Sequence, residues 1–466
     1  MVVVALGMAY RREVSAHGII EQLDTEFGAA LVAAARGLDP LHARSVLAKQ
    51  FPHADPELLQ AASRQAHLAA QAEPRFGNRA WEVLWTTDGL AQASHPGVAQ
   101  YRARRLAALG VRSAADLTCG LGIDLLAMSD AGIAVVGIES DVEIAELARR
   151  NTRRHSTLRH STLRHSAAGS DPDRPHPDPL GGTPRDRPAQ SIGRIDIRVG
   201  SCTDESTLAS LPAAEAWFID PARRGAARRQ DGSHIRLDDP ESWSPPWSWV
   251  RELRHRADIV VAKTAPGIPH ALLSDANGEW VSLRGQLREV TAWWGVGETG
   301  ARTAVILAAD GSELLRVPAS GVELDAIGLP APGTWLLDPD PAIVRAHVLA
   351  EFGVLVGASL VDPQLAYLAL PHEPQATPAT ALNYGARRWQ VVYSGAYRPA
   401  ALRTICADLG ITRVDVTGRG RSLPAPRVAK ELHLAGGPGQ HATLITMALG
   451  GARRTAVVLG IPDRTR

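Results

Sequence analysis

The sequence predicts an α/β fold: a doubly wound sheet of seven strands, preceded by a helical region and followed by an α+β region. Three observations carry this. Short apolar, β-branched runs alternate with helical patterns between residues 113 and 307. A glycine-containing turn joins the first of these runs to the helix after it. Residues 1–95 show only the three- and four-residue apolar spacing of helices.

In the N-terminal region the helical spacing runs through Ile19, Ile20 and Leu23, then Leu31, Val32 and Leu47. Asp39-Pro40 and Asp55-Pro56 each set a capping residue before a proline, which predicts helix starts. No catalytic cluster is present, so a helical support or substrate-binding module is expected. Strands follow at 113–117, 134–138, 195–199, 216–219 and 259–262, with helices from Asp124 and over 142–150. Crossovers link these five strands into a doubly wound sheet; two more, at 289–294 and 304–307, suit a hairpin.

Residues 152–193 interrupt the alternation. RHSTL stands at 154–158 and 159–163, RHSAA at 164–168, and a Pro/Asp/Arg/Gly-rich run comes after them. A period of five fits neither helix nor strand, so the expectation is a disordered insertion. A basic arm for RNA is one alternative. Metal binding through His155, His160 and His165 is another, but no carboxylate or cysteine cluster accompanies them and no metal is expected. Beyond residue 312 the pattern gives a helix at 341–352, a loop or linker at 371–381 and a strand at 389–393. Residues 401–466 then read as helix, strand 413–416, helix 427–434 and strands 442–447 and 455–459. The expected division is 1–95, 96–312, 313–400 and 401–466.

The 466 residues are 45% hydrophobic and 21% charged, which excludes a disordered chain and gives room for domains of ~100–200 residues. No run approaches the ~18 apolar residues of a membrane span. The opening MVVVALGMAY lacks a basic leader and a cleavage site, so it is not read as a signal peptide. Cys119, Cys202 and Cys406 are distant and odd in number, against a disulfide framework or zinc site, and a reducing cytoplasm is expected. The formal net charge of +1 hides an asymmetry: 401–466 carries ten Lys/Arg against four Asp/Glu, or +6, leaving −5 elsewhere. That is the first pointer to a polyanionic partner. Only Lys49, Lys263 and Lys430 are lysines among the 50 basic residues. This fits codon bias as readily as a use for arginine's planar fork on phosphates and bases.

The strongest chemical signal is Ala115-Asp116-Leu117-Thr118-Cys119-Gly120-Leu121-Gly122-Ile123-Asp124. Gly120 and Gly122 let the backbone approach a ligand closely. Glu139, at the end of the second strand, is placed to accept hydrogen bonds from ribose hydroxyls. A dinucleotide site wants a third glycine where Leu125 stands. S-adenosylmethionine has no pyrophosphate, and Asp116 could bind its ammonium, so the motif favours that cofactor over NAD. Asp204 follows the third strand, where an acid meets an adenine amino group or caps the next helix.

The second signal is Trp217-Phe218-Ile219-Asp220-Pro221-Ala222-Arg223-Arg224. Methyltransferases acting on base amino groups place Asp/Asn-Pro-Pro-aromatic at this point, where it aligns the acceptor for in-line displacement. Here Asp220 and Pro221 keep that role, Ala222 and Arg223 depart from the pattern, and Arg223 and Arg224 could hold a base or a phosphate. Lys263, after the fifth strand, could hold a phosphate or base carbonyl, or be a partly exposed strand-end residue. Asp-Pro-Ala-Arg is also similar to the 5-methyluridine RNA methyltransferases, but no cysteine nucleophile follows the fifth strand, which excludes their mechanism. Trp293 and Trp294 read as core; Trp243 and Trp247 read equally as core or as stacking groups.

Five segments in order then carry a resemblance: Thr87-Asp88-Gly89-Leu90-Ala91-Gln92-Ala93-Ser94, DLTCGLGID, FIDPARRG, DDPESWSPPWSWV (238–250) and VVAKTAPGIPH (260–270). From about residue 70 onward, outside 152–193, the chain resembles actinobacterial class I S-adenosylmethionine-dependent methyltransferases with a C-terminal THUMP-like domain. The resemblance implies a Rossmann-like methyltransferase domain, then ferredoxin-like and THUMP-like regions associated with RNA modification. The family's basic strand-end sequence is matched in part by Arg419-Gly420-Arg421, implying RNA contacts by Arg419 and Arg421. The resulting expectation is methylation of a base in RNA. A non-catalytic RNA-binding protein and a small-molecule or protein methyltransferase are the rivals.

Overall fold

The computed structural model describes residues 18–168, 193–228, 234–236, 239–371, 376–419, 423–434, 436–450 and 454–463. The chain divides into two units, Met1–Lys263 and Thr264–Arg466.

The first unit begins with α1 (Glu26–Ala34), α2 (Ala43–Gln50), α3 (Pro56–Phe76), α4 (Thr87–Gln92) and α5 (Pro96–Ala108). Asp55 caps α3 as its sequence predicts, accepting from Glu57 N–H at 2.8 Å. Asp39 instead closes a turn on Leu41 N–H, and α2 starts only at Ala43. The helices share a core of Leu31, Leu47, Leu59, Ala62, Ala69 and Trp85, to which Leu121 of the glycine turn also belongs. Trp85 is fully buried against Phe76 and donates through Nε1 to Ala80 O at 2.8 Å.

Next come β1 (Ser113–Asp116), α6 (Ile123–Asp130), β2 (Ala134–Glu139), α7 (Val142–Ala168), β3 (Ile195–Val199), α8 (Glu205–Ala209) and β4 (Ala216–Ile219). The small strands β5 (Arg224–Arg228) and β6 (His234–Arg236) pair with each other, and α9 (Trp247–Glu252) leads to β7 (Ile259–Thr264). The five large strands are parallel in the order β7-β4-β1-β2-β3. Near-continuous apolar runs such as AVVGIE and AWFI suit strands covered on both faces. Strand order reverses between β1 and β4, which makes the carboxyl edge there the crevice for a ligand.

The expected insertion does not start at 152: α7 continues to Ala168. Its first repeat is docked, with His155 buried and its Nε2 2.8 Å from Asp130 Oδ1, while Arg79 pairs with the other oxygen of Asp130 at 2.8 Å. Arg154 adds an ion pair to Asp24. Residues 169–192, the rest of the expected insertion, lie outside the described residues.

In the second unit β8 (Asn277–Leu283) and β9 (Gln286–Trp294) form the hairpin, turning through Arg284 and Gly285 at φ 52° and 71°. β10 (Arg302–Leu307) runs parallel to β8, and β11 (Glu313–Pro318) is antiparallel to β10. The expected hairpin of 289–294 with 304–307 is therefore not formed; β8, unread in the sequence, is the partner of both. Trp293 and Trp294 are buried, as expected.

Then follow β12 (Trp335–Pro339), α10 (Pro341–Arg345), α11 (Leu349–Val356), β13 (Ser359–Asp362), β14 (Leu365–Leu370), α12 (Ala376–Gly385) and β15 (Ala386–Ala396). α13 (Pro399–Asp408), β16 (Ile411–Arg419), α14 (Ala425–Glu431), β17 (Gln440–Leu449) and β18 (Arg454–Pro462) complete the unit. The expected loop at 371–381 contains the start of α12. Strands from both expected C-terminal regions enter one sheet, β13-β14-β12-β15-β18-β17-β16. Leu336, Tyr367 and Trp389 lie in one of its cores; Leu402, Val428 and Leu444 lie in another that takes in α13 and α14.

Candidate functional site

The carboxyl ends of β1, β2 and β4 open into a cavity of about 370 Å³, a size that suits a small-molecule ligand. The turn after β1 hangs between its neighbours: Leu117 N–H donates to Phe218 O and Cys119 N–H to Ile138 O, each at 2.9 Å. Gly120 lines the cavity at φ 52°, a conformation that favours glycine. Gly122, at φ 87°, is the cap from which α6 departs. Glu139 lines the cavity, and its Oε2 accepts from Gly120 N–H at 3.1 Å while Oε1 accepts from Asp141 N–H at 2.9 Å. Gly120 and Glu139 thus line one space, while Gly122 is not among its lining residues.

Asp116 is placed differently from its expectation. It is buried beneath the turn, accepts from Thr118 N–H at 3.0 Å, and is not among the residues lining the cavity. Burial, reinforced by the charge of Asp124, holds its carboxyl well above the usual carboxylate range. Of the two acids that bracket the turn, Asp124 is the one that lines the cavity. Burial pushes Asp124 up, but Arg102, Lys263 and a bond from Ser94 outweigh it and hold the carboxyl below its ordinary value. Arg102, only 3% exposed, pairs with Asp124 Oδ1, and Ser94 Oγ donates to Oδ2 at 2.8 Å. Sequence reasoning missed Asp124, Arg102 and Ser94, although two of them stand inside the quoted segments TDGLAQAS and DLTCGLGID.

Asp220 lines the same cavity; its N–H donates to Thr118 Oγ1 at 2.8 Å, and its Oδ2 is ion-paired with Lys263 Nζ. Lys263 is therefore engaged behind Asp220, a different place from the substrate-holding one expected. Pro221 is buried beside it. Ala222 exchanges both backbone hydrogen bonds with Ser244, at 2.8 and 3.0 Å, and Ala222, Ser244 and Pro245 form part of the wall. Trp243 and Trp247 are buried against each other at 6.1 Å, so they anchor this wall as core. Arg223 is half-buried and does not line the cavity; Arg224 opens β5.

Asp204 caps α8, accepting from Ser206 N–H at 3.1 Å and Ser206 Oγ at 2.9 Å, and is exposed outside the lining. These bonds hold its carboxyl below the ordinary value. Asp204→Ala is expected to lower the melting temperature slightly and leave ligand affinity unchanged, checked by thermal melts and calorimetry. In the second unit Arg419 reaches back to buried Asp338 at 2.9 Å, beside Arg387 on the same carboxylate. Arg421 lies outside the described residues.

Among the described residues four carboxylates line the cavity, those of Asp88, Asp124, Glu139 and Asp220, and no lysine or arginine does. Such a lining suits a cation and disfavours a pyrophosphate. Both cavity thiols are raised, Cys119 by burial and then by Asp116 and Glu139, Cys202 chiefly by burial to about 11. Both shifts disfavour the reactive thiolate. Among the described residues no group of three His, Cys, Asp or Glu is placed to hold a metal ion, and no helix is long and apolar enough to cross a membrane.

No family model matches the chain. Two proteins of Mycobacterium tuberculosis, from strains CDC 1551 and H37Rv, are each 27% identical over 378 residues, 80% of this chain and 87% of their own length. Both are described as uncharacterized S-adenosylmethionine-dependent methyltransferases. The crystal structure of a candidate methyltransferase from Porphyromonas gingivalis superposes with a TM-score of 0.66 at 14% identity, covering 94% of this chain and 99% of that one. With the parallel order and reversal point described above, the first unit has the class I methyltransferase fold, α/β and Rossmann-like.

Proposed function

We propose that the chain methylates a base in RNA, by in-line transfer from S-adenosylmethionine to an acceptor aligned by Asp220. The chain is an S-adenosylmethionine-dependent methyltransferase. The observation that carries the reading is the acidic cavity at the reversal point of the sheet, with the Asp-Pro segment on its rim.

The residues present fit that cofactor. Its ammonium and sulfonium are cations, and the described lining offers carboxylates for them. Gly120 leaves a space that a side chain would fill, and Glu139 stands at the strand end that suits ribose hydroxyls. When bound, S-adenosylmethionine supplies a methyl group on a positively charged sulfur. Asp124, fixed by Arg102 and Ser94, would hold a cationic group of the cofactor, and Asp116 supports the turn from below. Asp220 accepts a hydrogen bond from the acceptor amine and turns its lone pair toward the methyl, Lys263 fixing the carboxylate from behind. Catalysis is then mainly alignment, an effect worth ~7–11 kcal/mol in well-oriented reactions. Glu139→Ala is expected to weaken cofactor binding about 10- to 100-fold, the loss of one or two hydrogen bonds to a charged group, read by calorimetry.

RNA is supported by the +6 charge of 401–466 and by the resemblance to enzymes with a THUMP-like tail. Arg223, Arg224 and Arg421 are the arginines this reading assigns to RNA, and it places the enzyme in the cytoplasm. A second reading, a small-molecule or protein acceptor, is favoured by the internal pairing of Arg419 with Asp338, Arg427 with Glu431 and Arg413 with Asp415. Mass spectrometry of nucleosides from total RNA, with and without the protein, separates them. Loss of one methylated nucleoside is the expected result; an unchanged profile overturns RNA as the acceptor.

A further inference from the structure

We propose that the unit Thr264–Arg466 carries a stacking platform for one base of single-stranded RNA, formed by His347 on His270 and Trp280, with Arg302 and Arg345 for the neighbouring phosphate. It rests on the RNA reading above.

The three rings form a ladder. Trp280 of β8 is fully buried, and the His270 ring lies 4.6 Å from it at an interplanar angle of 25°. The His347 ring lies 4.2 Å beyond His270 at 21°. His270 is half-buried and His347 exposed, so the ladder climbs from the core to a ring whose outer face meets solvent. The middle ring is anchored by one bond, His270 Nε2 lying 2.9 Å from Arg345 O. His347 itself sits at φ 55°, a left-handed conformation unusual for a side-chain-bearing residue. A strained position that displays an aromatic ring points to use of that ring.

Charge identifies the ligand. Arg302 and Arg345 act electrostatically on His347 and His270, and neither arginine has a carboxylate partner among the described residues. This separates them from Arg419, Arg427 and Arg413, whose charges are met within the chain. Arg345 is anchored by one bond to Pro266 O at 3.3 Å and is otherwise exposed. Burial first holds both imidazoles below their ordinary range; on His270 the charge of His347 comes next and then the two arginines, and on His347 the arginines follow directly. Uncharged rings beside unpaired guanidiniums offer a π-face for a base and a fork for its phosphate. The platform also gives a role to the end of the VVAKTAPGIPH segment, which terminates on His270.

The test uses the full chain and a short fluorescent single-stranded RNA, titrated by anisotropy over a salt series. His347→Gly removes the ring and suits the left-handed backbone, so folding is spared. It is expected to weaken RNA binding about 5- to 100-fold, with cofactor affinity unchanged, and His347→Phe is expected to restore binding. Arg345→Gln is expected to lower the salt slope by about one phosphate contact. Wild-type affinity and slope in both His347→Gly and Arg345→Gln overturn the platform while leaving the RNA reading intact. A wild-type chain that binds no RNA overturns the RNA reading, and the platform with it.

Discussion

Asp220→Ala is expected to lower turnover by at least ~10²-fold, the scale of a misplaced acceptor, with cofactor affinity little changed. The carboxylate sits on the cavity wall, its backbone tied to Thr118 and its Oδ2 to Lys263, so its loss removes the fixed acceptor for the incoming amine. Stability falls as well. The Lys263 side chain is 10% exposed and would lose its counter-charge, and breaking a fully buried pair costs ~3–5 kcal/mol. Asp220 is 25% exposed, so water would offset part of that penalty. The combined change Asp220→Ala with Lys263→Met separates the effects: the melting temperature is expected to recover and the activity is not. Turnover restored in the double variant would sink the assignment of Asp220 as the aligning group.

Arg102→Met is expected to be the more damaging to the fold: breaking a buried pair costs ~3–5 kcal/mol, and Asp124, 15% exposed on the cavity wall, would lose its ion partner with only part of that cost offset by water. The pH dependence carries a sign. Asp124 is held below the ordinary carboxylate value, so its contribution to stability is present above that value and is lost as pH falls through the lowered one. Asp116, held above, acts oppositely: its contribution is full below the ordinary value and is lost as pH rises through the raised one. Without Arg102, Asp124 joins Asp116 in favouring protonation. The penalty of Arg102→Met should therefore shrink as pH is lowered from neutral toward the carboxylate range. Thermal melts of both proteins across that range check it; a penalty constant with pH would mean that Arg102 acts through packing on Phe218, over whose ring its guanidinium lies at 5.2 Å.

The parallel strands were legible because each is a short apolar run bounded by a turn, the pattern of a strand covered on both faces. β8 was not, since Asn277-Gly278-Glu279 reads as a turn. Gly278 is small there because a Cβ would come within 2.9 Å of the Trp280 ring, a constraint of packing that leaves no periodicity. The extension of α7 was hidden for a related reason. RHSTL has no apolar face, and its first copy is held by partners remote in sequence, Asp130 and Asp24. At the site, the turn glycines, Glu139 and Asp220 declared themselves by spacing from strand ends. Spacing could not tell that Asp116 turns beneath the turn while Asp124 faces the cavity. That choice is made by Arg102 and Ser94, which a linear pattern does not connect to either acid.

One side chain has a consequence for how the enzyme can be divided. Asn151 of α7 accepts from Leu84 N–H at 2.8 Å and donates to Leu121 O at 3.1 Å. It clamps the segment leading into α4 to the glycine turn itself, and α4 supplies Asp88 and Gly89 to the cavity. The N-terminal helices thus supply one wall of the cavity, and a fragment that keeps the cavity whole starts with them, well ahead of the first strand.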